Sequence, residues 1–307
     1  MSESSQEGVT TASEGRTSLL KIFLVFLRLG FTSFGGPVAH LGYFRDEFVG
    51  RRKWIEERAY ADLVALCQFL PGPASSQVGI GVGLARGGLL GAFAAWTGFT
   101  MPSALALIAF GYGVVAYQDV VNSGVLHGLK VVAVAVVAQA VWGMARNLCP
   151  DAKRATLAVL AACAVLTAPT PLAQVGVIVA GGLAGLVFLR AETPTEHVPL
   201  GINVSRSLAV ASLLLFFVGL IGLPVLAAVY PSHTISLVES FYSSGSLVFG
   251  GGHVVLPLLQ SEVVPSGWVS NDAFLAGYGA AQAVPGPLFA FAAYLGAVLE
   301  PLPNGLT

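Results

Sequence analysis

Positive charge runs out early in this chain: no lysine or arginine follows Arg206. Charge of either sign is scarce, at 10% of residues against 55% hydrophobic. A soluble domain carries about a quarter charged residues, so a water-exposed globule is excluded. Apolar windows of the ~20 residues needed to cross a bilayer recur along nearly the whole length, which leaves an integral polytopic membrane protein. The net charge is −1, so overall charge points to no partner, and no nucleic acid is expected.

Cysteine is equally sparse. Cys67, Cys149 and Cys163 stand in or beside apolar segments without metal-type spacing, and read as small buried residues rather than as a disulfide or a metal site. No HExxH, GxSxG or Cys/His grouping is present, which removes the motif grounds for an enzyme, and neither metal nor cofactor is expected. The basic start and short apolar core of a cleavable signal are also missing. Instead residues 1–18, MSESSQEGVTTASEGRTS, read as a disordered polar tail.

Glycine and proline, by contrast, stand where a membrane helix should be continuous. LCQFLPGPASSQ (66–77) interrupts an apolar run with Pro71, Gly72 and Pro73, and proline removes a backbone donor and clashes with the preceding turn. The interruption occurs twice. FGGPVAHLGYFRDEF begins at Phe34 and FGGGHVVLPLLQSEV at Phe249; WIEERAYADLVALCQFLPGP begins at Trp54 and WVSNDAFLAGYGAAQAVPGP at Trp268. From each Trp to the first proline of Pro-Gly-Pro is 17 residues, and Gln68 and Gln282 each stand three residues before that proline. The chain contains two related units.

Their charges differ. Arg45, Arg51, Arg52, Lys53 and Arg58 crowd the first unit's loop, whereas 260–272 holds no Lys or Arg. Short basic loops stay cytoplasmic, so the first loop reads as inside and the second as outside, which defines an inverted repeat. Parity is kept if both broken segments of the first unit, 19–44 and 60–83, enter and return on one side. Then 89–117 and 122–146 cross, 155–188 forms a hairpin about Pro169 and Pro171, and 207–230 crosses once. Full crossing by kinked helices is the alternative, at the expense of the charge rule at one loop. The expected layout is a tail (1–18), a first transporter repeat (19–190), a cytoplasmic linker (191–206) and the start of an incomplete inverted second repeat (207–307).

Irregular backbone at membrane depth survives only where protein or a water-filled cavity satisfies its polar groups. Helix starts there offer free N–H groups and partial positive charge, an anion site without a buried lysine. The expected seat comprises Ser33, Gly35, Gly36 and Pro37; Pro71, Gly72 and Pro73, with Ser75, Ser76 and Gln77 as added donors; and the second-unit residues Gly250, Gly251, His253, Pro285, Gly286 and Pro287. Gln68 and Gln282 belong to the same lining. The competing reading is that glycine and proline merely bend and pack membrane helices.

Arg28, one turn before the first break, calls for an anionic ligand, or else snorkels to the cytoplasmic face. Arg86 is either a loop charge or a substrate contact. Glu47 and Glu262 match across the repeat and read as coupling carboxylates or as solvated loop charges. His40 and His253 border the first breaks as polar lining, and Trp54 and Trp268 read as interfacial anchors.

The stretches FGGPVAH, PGPASSQ, FGGGHVVLP and AVPGP resemble the chromate ion transporter family, over about residues 20–300. The resemblance implies two homologous halves, location in the cell's inner membrane, and export of chromate with sulfate as its lookalike, conferring chromate resistance. A sulfate or other oxyanion transporter, or a channel, is the alternative. Expected partners are the chromate or sulfate dianion, membrane lipid, and a second copy in a homodimer. Relative to the family, the second half lacks its remaining membrane segments.

Overall fold

The computed structural model describes residues 17–116, 149–168, 171–188, 200, 202, 204–248 and 252–300, with scattered helical positions between 124 and 146. Among these residues there is no strand, and the chain is an all-α membrane protein. The proposed crossing over 122–146 and most of the 191–206 linker lie outside the described residues, as do the polar tail before Thr17 and the first-break glycines Gly250 and Gly251.

The first unit is two helical hairpins closed by broken backbone. Helix α1 (Leu19–Thr32) stops at Ser33, and α2 (Gly36–Arg45) runs back beside it, continuing as a π-helical turn over Asp46–Arg51. The return is fixed by aromatic packing, with the Phe26 ring 5.8 Å from Phe44 and 5.0 Å from Phe48. After the Trp54 turn, α3 (Glu57–Phe69) rises to the Pro-Gly-Pro break, and α4 (Ala74–Ala116) begins by descending against it. An added methyl carbon on Gly81 would lie 3.0 Å from Leu63, a contact possible only in an antiparallel pair folded about 71–73. Each broken segment therefore folds back on itself as a hairpin.

Helix α4 is two helices joined at Gly88, where φ is 65° and ψ −156°. Gly83 and Gly91, far apart in a straight helix, touch backbone to backbone, so the chain doubles back there. The returning part, 89–116, runs alongside α1. A methyl carbon on Gly98 would lie 2.7 Å from the Phe23 carbonyl oxygen, and one on Gly30 would lie 2.8 Å from that of Phe99. Small residues let membrane helices approach this closely, and the gain is dispersion and close packing.

The second unit repeats the order of the first and the lengths of two of its helices. Helices α8 (His233–Ser246) and α1 have 14 residues each, α10 (Asn271–Ala283) and α3 have 13 each, and α9 (Gly252–Val263) and α11 (Phe291–Val298) stand where α2 and the start of α4 do. The pairing of large with small is exchanged between the units. Leu63 of α3 lies over Gly81, whereas in the second unit the ring of Tyr294 in α11 lies over Gly277 of α10.

Direction distinguishes the copies. Residues 74–87 run antiparallel to 89–116, with Gly83 on Gly91. Helix α11 runs parallel to 89–116: Gly286, just before it, lies by Ser103, while Ala297 and Val298 near its end meet Gly111. Matching helices thus point opposite ways along one shared helix. That helix also joins the second core, where Leu107 and Ala104 pack with Phe274, Phe291 and Leu295.

Between the units lie α5 (Ala152–Thr167), α6 (Pro171–Phe188) and α7 (Arg206–Val229). Neither α5 nor α7 buries a single residue within the protein, and Leu215, Val218 and Ile221 of α7 lie open. Helix α7 and the long α4 run are apolar and long enough to cross a membrane. An apolar helix with no protein cover is stable when hydrocarbon supplies it.

Candidate functional site

Each Pro-Gly-Pro turn is bonded to the residue that precedes the other unit's Phe-Gly-Gly. At the Pro-Gly-Pro turns, Gly72 has φ +119° and Gly286 φ +101°, conformations that a Cβ makes costly. With nothing projecting from their α-carbons, each glycine brings its amide against the other unit. Gly72 N–H donates to the Val248 carbonyl at 2.6 Å, and Gly286 N–H donates to the Ser33 carbonyl at 2.9 Å. Ser33 and Val248 are equivalent positions, each immediately before its unit's Phe-Gly-Gly. The two bonds are one contact made twice.

Around the first pair, Gln77 Nε2 donates to the Pro71 carbonyl at 2.7 Å and bridges the turn, while its Oε1 is buried without a partner. Ser75 and Ser76 are buried in the first turn of α4, and Pro71 and Pro73 are half-buried. Around the second pair, Ser33 is fully buried with its hydroxyl unpaired. Gly35 is the left-handed N-cap of α2, no side chain caps that helix, and Pro37 sits in its first turn, so its opening amides face the break. Pro285 is half-buried and Pro287 buried; Gln282 is half-buried, and its Nε2 has no partner.

Other expected residues lie elsewhere. Gln68 is exposed beside Phe69 and Leu70, so the matched glutamines occupy unlike surroundings. Arg28 is exposed. Glu47 is 8% exposed and clamped by Arg52 at 2.6 Å and Arg51 at 3.1 Å, while Glu262 accepts from the Ser240 hydroxyl at 3.2 Å. Arg86 lies at the Gly88 reversal, where its Nε donates to Thr17 Oγ1 at 3.2 Å and its guanidinium lies 5.8 Å from the Trp54 ring. Trp54 in turn stacks on Phe48 at 5.3 Å. His253 stands at the start of α9, and its side chain, like Gly250 and Gly251, lies outside the described residues.

Residues that the sequence did not single out also reach this region. Thr100 and Ser103 lie on the inner stretch of α4; the Ser103 hydroxyl donates to the Thr100 carbonyl at 3.0 Å, and the Thr100 hydroxyl is buried and unpaired. Their signal is the spacing of Thr97, Thr100 and Ser103, hydroxyls every third residue on one face of an apolar helix. A cleft of about 610 Å³ opens at the far end of α1, between Thr17, Ser18, Gly87, Gly88, Ser205 and Leu208, away from the breaks.

Comparison with known proteins follows the same two blocks. The family model described as chromate transporter matches residues 20–186 and 235–306, each holding one Phe-Gly-Gly and one Pro-Gly-Pro. A probable chromate transport protein of Synechococcus elongatus is 28% identical over 94% of this chain and 71% of its own length. A chromate transport protein of Pseudomonas aeruginosa is 26% identical over 95% and 69%. An uncharacterised transporter of Methanocaldococcus jannaschii is 26% identical over 92% and 70%. No solved structure matches. With the model covering both units and every break that pairs across them, the chain belongs to the chromate transporter family.

Proposed function

We propose that this chain carries a tetrahedral oxyanion, chromate in the first place, outward across the inner membrane, and that its two units form an inverted repeat around the substrate. One observation carries the reading: the reciprocal bonds Gly72 to Val248 and Gly286 to Ser33, which tie each unit's Pro-Gly-Pro turn to the residue before the other unit's Phe-Gly-Gly. The oppositely directed helices on 89–116 are the arrangement an inverted repeat demands. Relatives named as chromate transport proteins support the choice of anion.

In this reading the openings of α2 and α4 supply amide donors and partial positive charge, the fixed equivalent of a cationic pocket. The site residues are those at the breaks: Ser33, Gly35, Gly36, Pro37, Pro71, Gly72, Pro73, Ser75, Ser76 and Gln77 from the first unit, with Gly250, Gly251, His253, Gln282, Pro285, Gly286 and Pro287 from the second. Lipid covers the open faces of α5 and α7. An inside-negative potential of ~100 mV favours outward movement of a dianion by about 4.6 kcal/mol, enough to drive efflux by voltage or ion exchange and to confer chromate resistance.

The test is uptake of labelled chromate and sulfate into everted vesicles, with voltage and proton gradients imposed separately. Chromate accumulation driven by an imposed voltage or ion gradient is the expected result, and accumulation beyond chromate's own electrochemical gradient excludes a simple channel. Absence of flux for both anions removes the reading, and flux of sulfate alone reassigns the substrate.

A further inference from the structure

The first unit's break contains a pair of buried donors left short of partners. His40, in α2, is 1% exposed; its ring interacts with the Ser33 main chain, but neither ring nitrogen completes a hydrogen bond of good geometry. Its ring stands edge-on to Phe99, centroids 5.3 Å apart, beside the Ser33 main chain. Ser33 is 0% exposed, and its hydroxyl is unpaired. Buried polar side chains are hydrogen-bonded in the large majority of cases, so adjacent orphans call for a partner that the protein does not supply.

The surroundings specify the partner's charge. The segments meeting here, 28–40, 97–103 and 284–288, contain no aspartate or glutamate. The break faces the uncapped start of α2, and His40 lies about 6 Å further along that helix. Imidazole presents at least one N–H in either protonation state, and a serine hydroxyl rotates to donate. Two side-chain donors beside free helix-start amides, with no carboxylate, match an anion with several oxygens.

We propose that His40 and Ser33 are the side-chain donors that hold the transported oxyanion at the first break. The Gly286–Ser33 bond belongs to the same seat: by tying down the Ser33 carbonyl it fixes where the hydroxyl stands, and the second unit's turn thereby positions the first unit's donor. This rests on the oxyanion-transport reading and adds to it the residues that make contact.

The test titrates sodium chromate and sodium sulfate into the full chain in detergent by calorimetry, with the anion-free melting temperature measured for each variant. Loss of a hydrogen bond to a charged ligand weakens binding roughly tenfold or more, the drop expected for His40→Phe and Ser33→Ala. His40→Gln, which keeps an N–H donor, is expected within about threefold of wild type, a rescue that a purely packing role does not produce. Wild-type affinity in His40→Phe overturns the proposal and leaves transport standing. Should His40→Phe fail to fold, wild-type affinity in Ser33→Ala overturns it equally. A wild-type chain that binds neither anion overturns both this proposal and the transport reading.

Discussion

The backbone N–H of Gly72 ends on the carbonyl oxygen of Val248, 2.6 Å away, joining residues from different units. Its counterpart from Gly286 to Ser33 makes the relationship reciprocal. Neither pair is formed within a helix, so neither unit can satisfy its own broken backbone. Orphan amides and carbonyls at membrane depth cost several kcal/mol each, so the second unit is required by the first for stability as well as for the site. Cooperative unfolding of the two units is the physical consequence.

Replacing Gly72 or Gly286 with alanine tests that dependence. Both positions have positive φ, which costs about 1–3 kcal/mol for a residue with a side chain. The two sites then differ. A methyl on Gly72 lies 2.5 Å from Gln77 Nε2, the end of a flexible side chain, whereas one on Gly286 lies 2.8 Å from Ser103 Oγ and 3.3 Å from the Gly30 carbonyl oxygen. Gly286→Ala is expected to melt lower than Gly72→Ala, and both to lose chromate flux while still reaching the membrane. Wild-type flux in both variants would show that the breaks are not where the anion passes.

That the chain turns between 83 and 89 was legible, because the charge rule ended one broken segment at 83 and began a crossing at 89; that the reversal falls on the single residue Gly88 within GLARGGLLG was not. Glycine is frequent in membrane helices, so the pair alone does not locate a reversal, whereas the contact of Gly83 with Gly91 does. The breaks themselves, their duplication and their 17-residue spacing were legible, because proline and glycine act locally and identity of spacing needs no coordinates. Orientation was not. Gln68 and Gln282 hold the same place before Pro-Gly-Pro, yet one is exposed and the other half-buried, since different helices flank each copy. Arg28 likewise sits in an apolar run and faces outward.

Close approach of α1 to α4 gives a prediction on packing alone. A methyl on Gly98 lies 2.7 Å from the Phe23 carbonyl oxygen and 3.0 Å from the Leu27 nitrogen, both backbone atoms that cannot swing aside. Overpacking of this kind costs about 1–3 kcal/mol. Gly113, on the same helix, has nothing within 4 Å of an added methyl, and alanine there gains about 0.5–1 kcal/mol from helix propensity. Thermal melting of Gly98→Ala below wild type and of Gly113→Ala at or above it is expected; equal melting points would mean that the α1–α4 contact is looser than described.

Glu47 can brace the basic turn or carry a proton, and the two roles give opposite outcomes on neutralisation. Its carboxylate is held between Arg51 and Arg52, so Glu47→Gln leaves two guanidiniums without their shared acceptor. A hydrogen bond to a charged group contributes roughly 1.5–3 kcal/mol, and a loss of that order is expected in the melting curve. Flux per folded molecule should then be unchanged. Unaltered stability together with flux that no longer responds to a proton gradient would assign Glu47 to coupling instead.

Opposite orientation of the units makes the most decisive prediction, because the basic first loop and the second loop, which has no Lys or Arg, differ in sequence but occupy equivalent turns. With Cys67, Cys149 and Cys163 replaced by alanine, single cysteines at Lys53 and Ser266 place a thiol in each Trp-bearing turn, where both native residues are exposed. An impermeant maleimide applied to intact cells is expected to label the 266 thiol and to spare the 53 thiol; everted vesicles reverse the result. The expectation follows from two independent lines, the absence of Lys and Arg after Arg206 and the parallel run of α11 along 89–116 against the antiparallel run of 74–87. Labelling of both turns from one side would leave the charge asymmetry unexplained and remove the twofold relation on which the oxyanion seat depends.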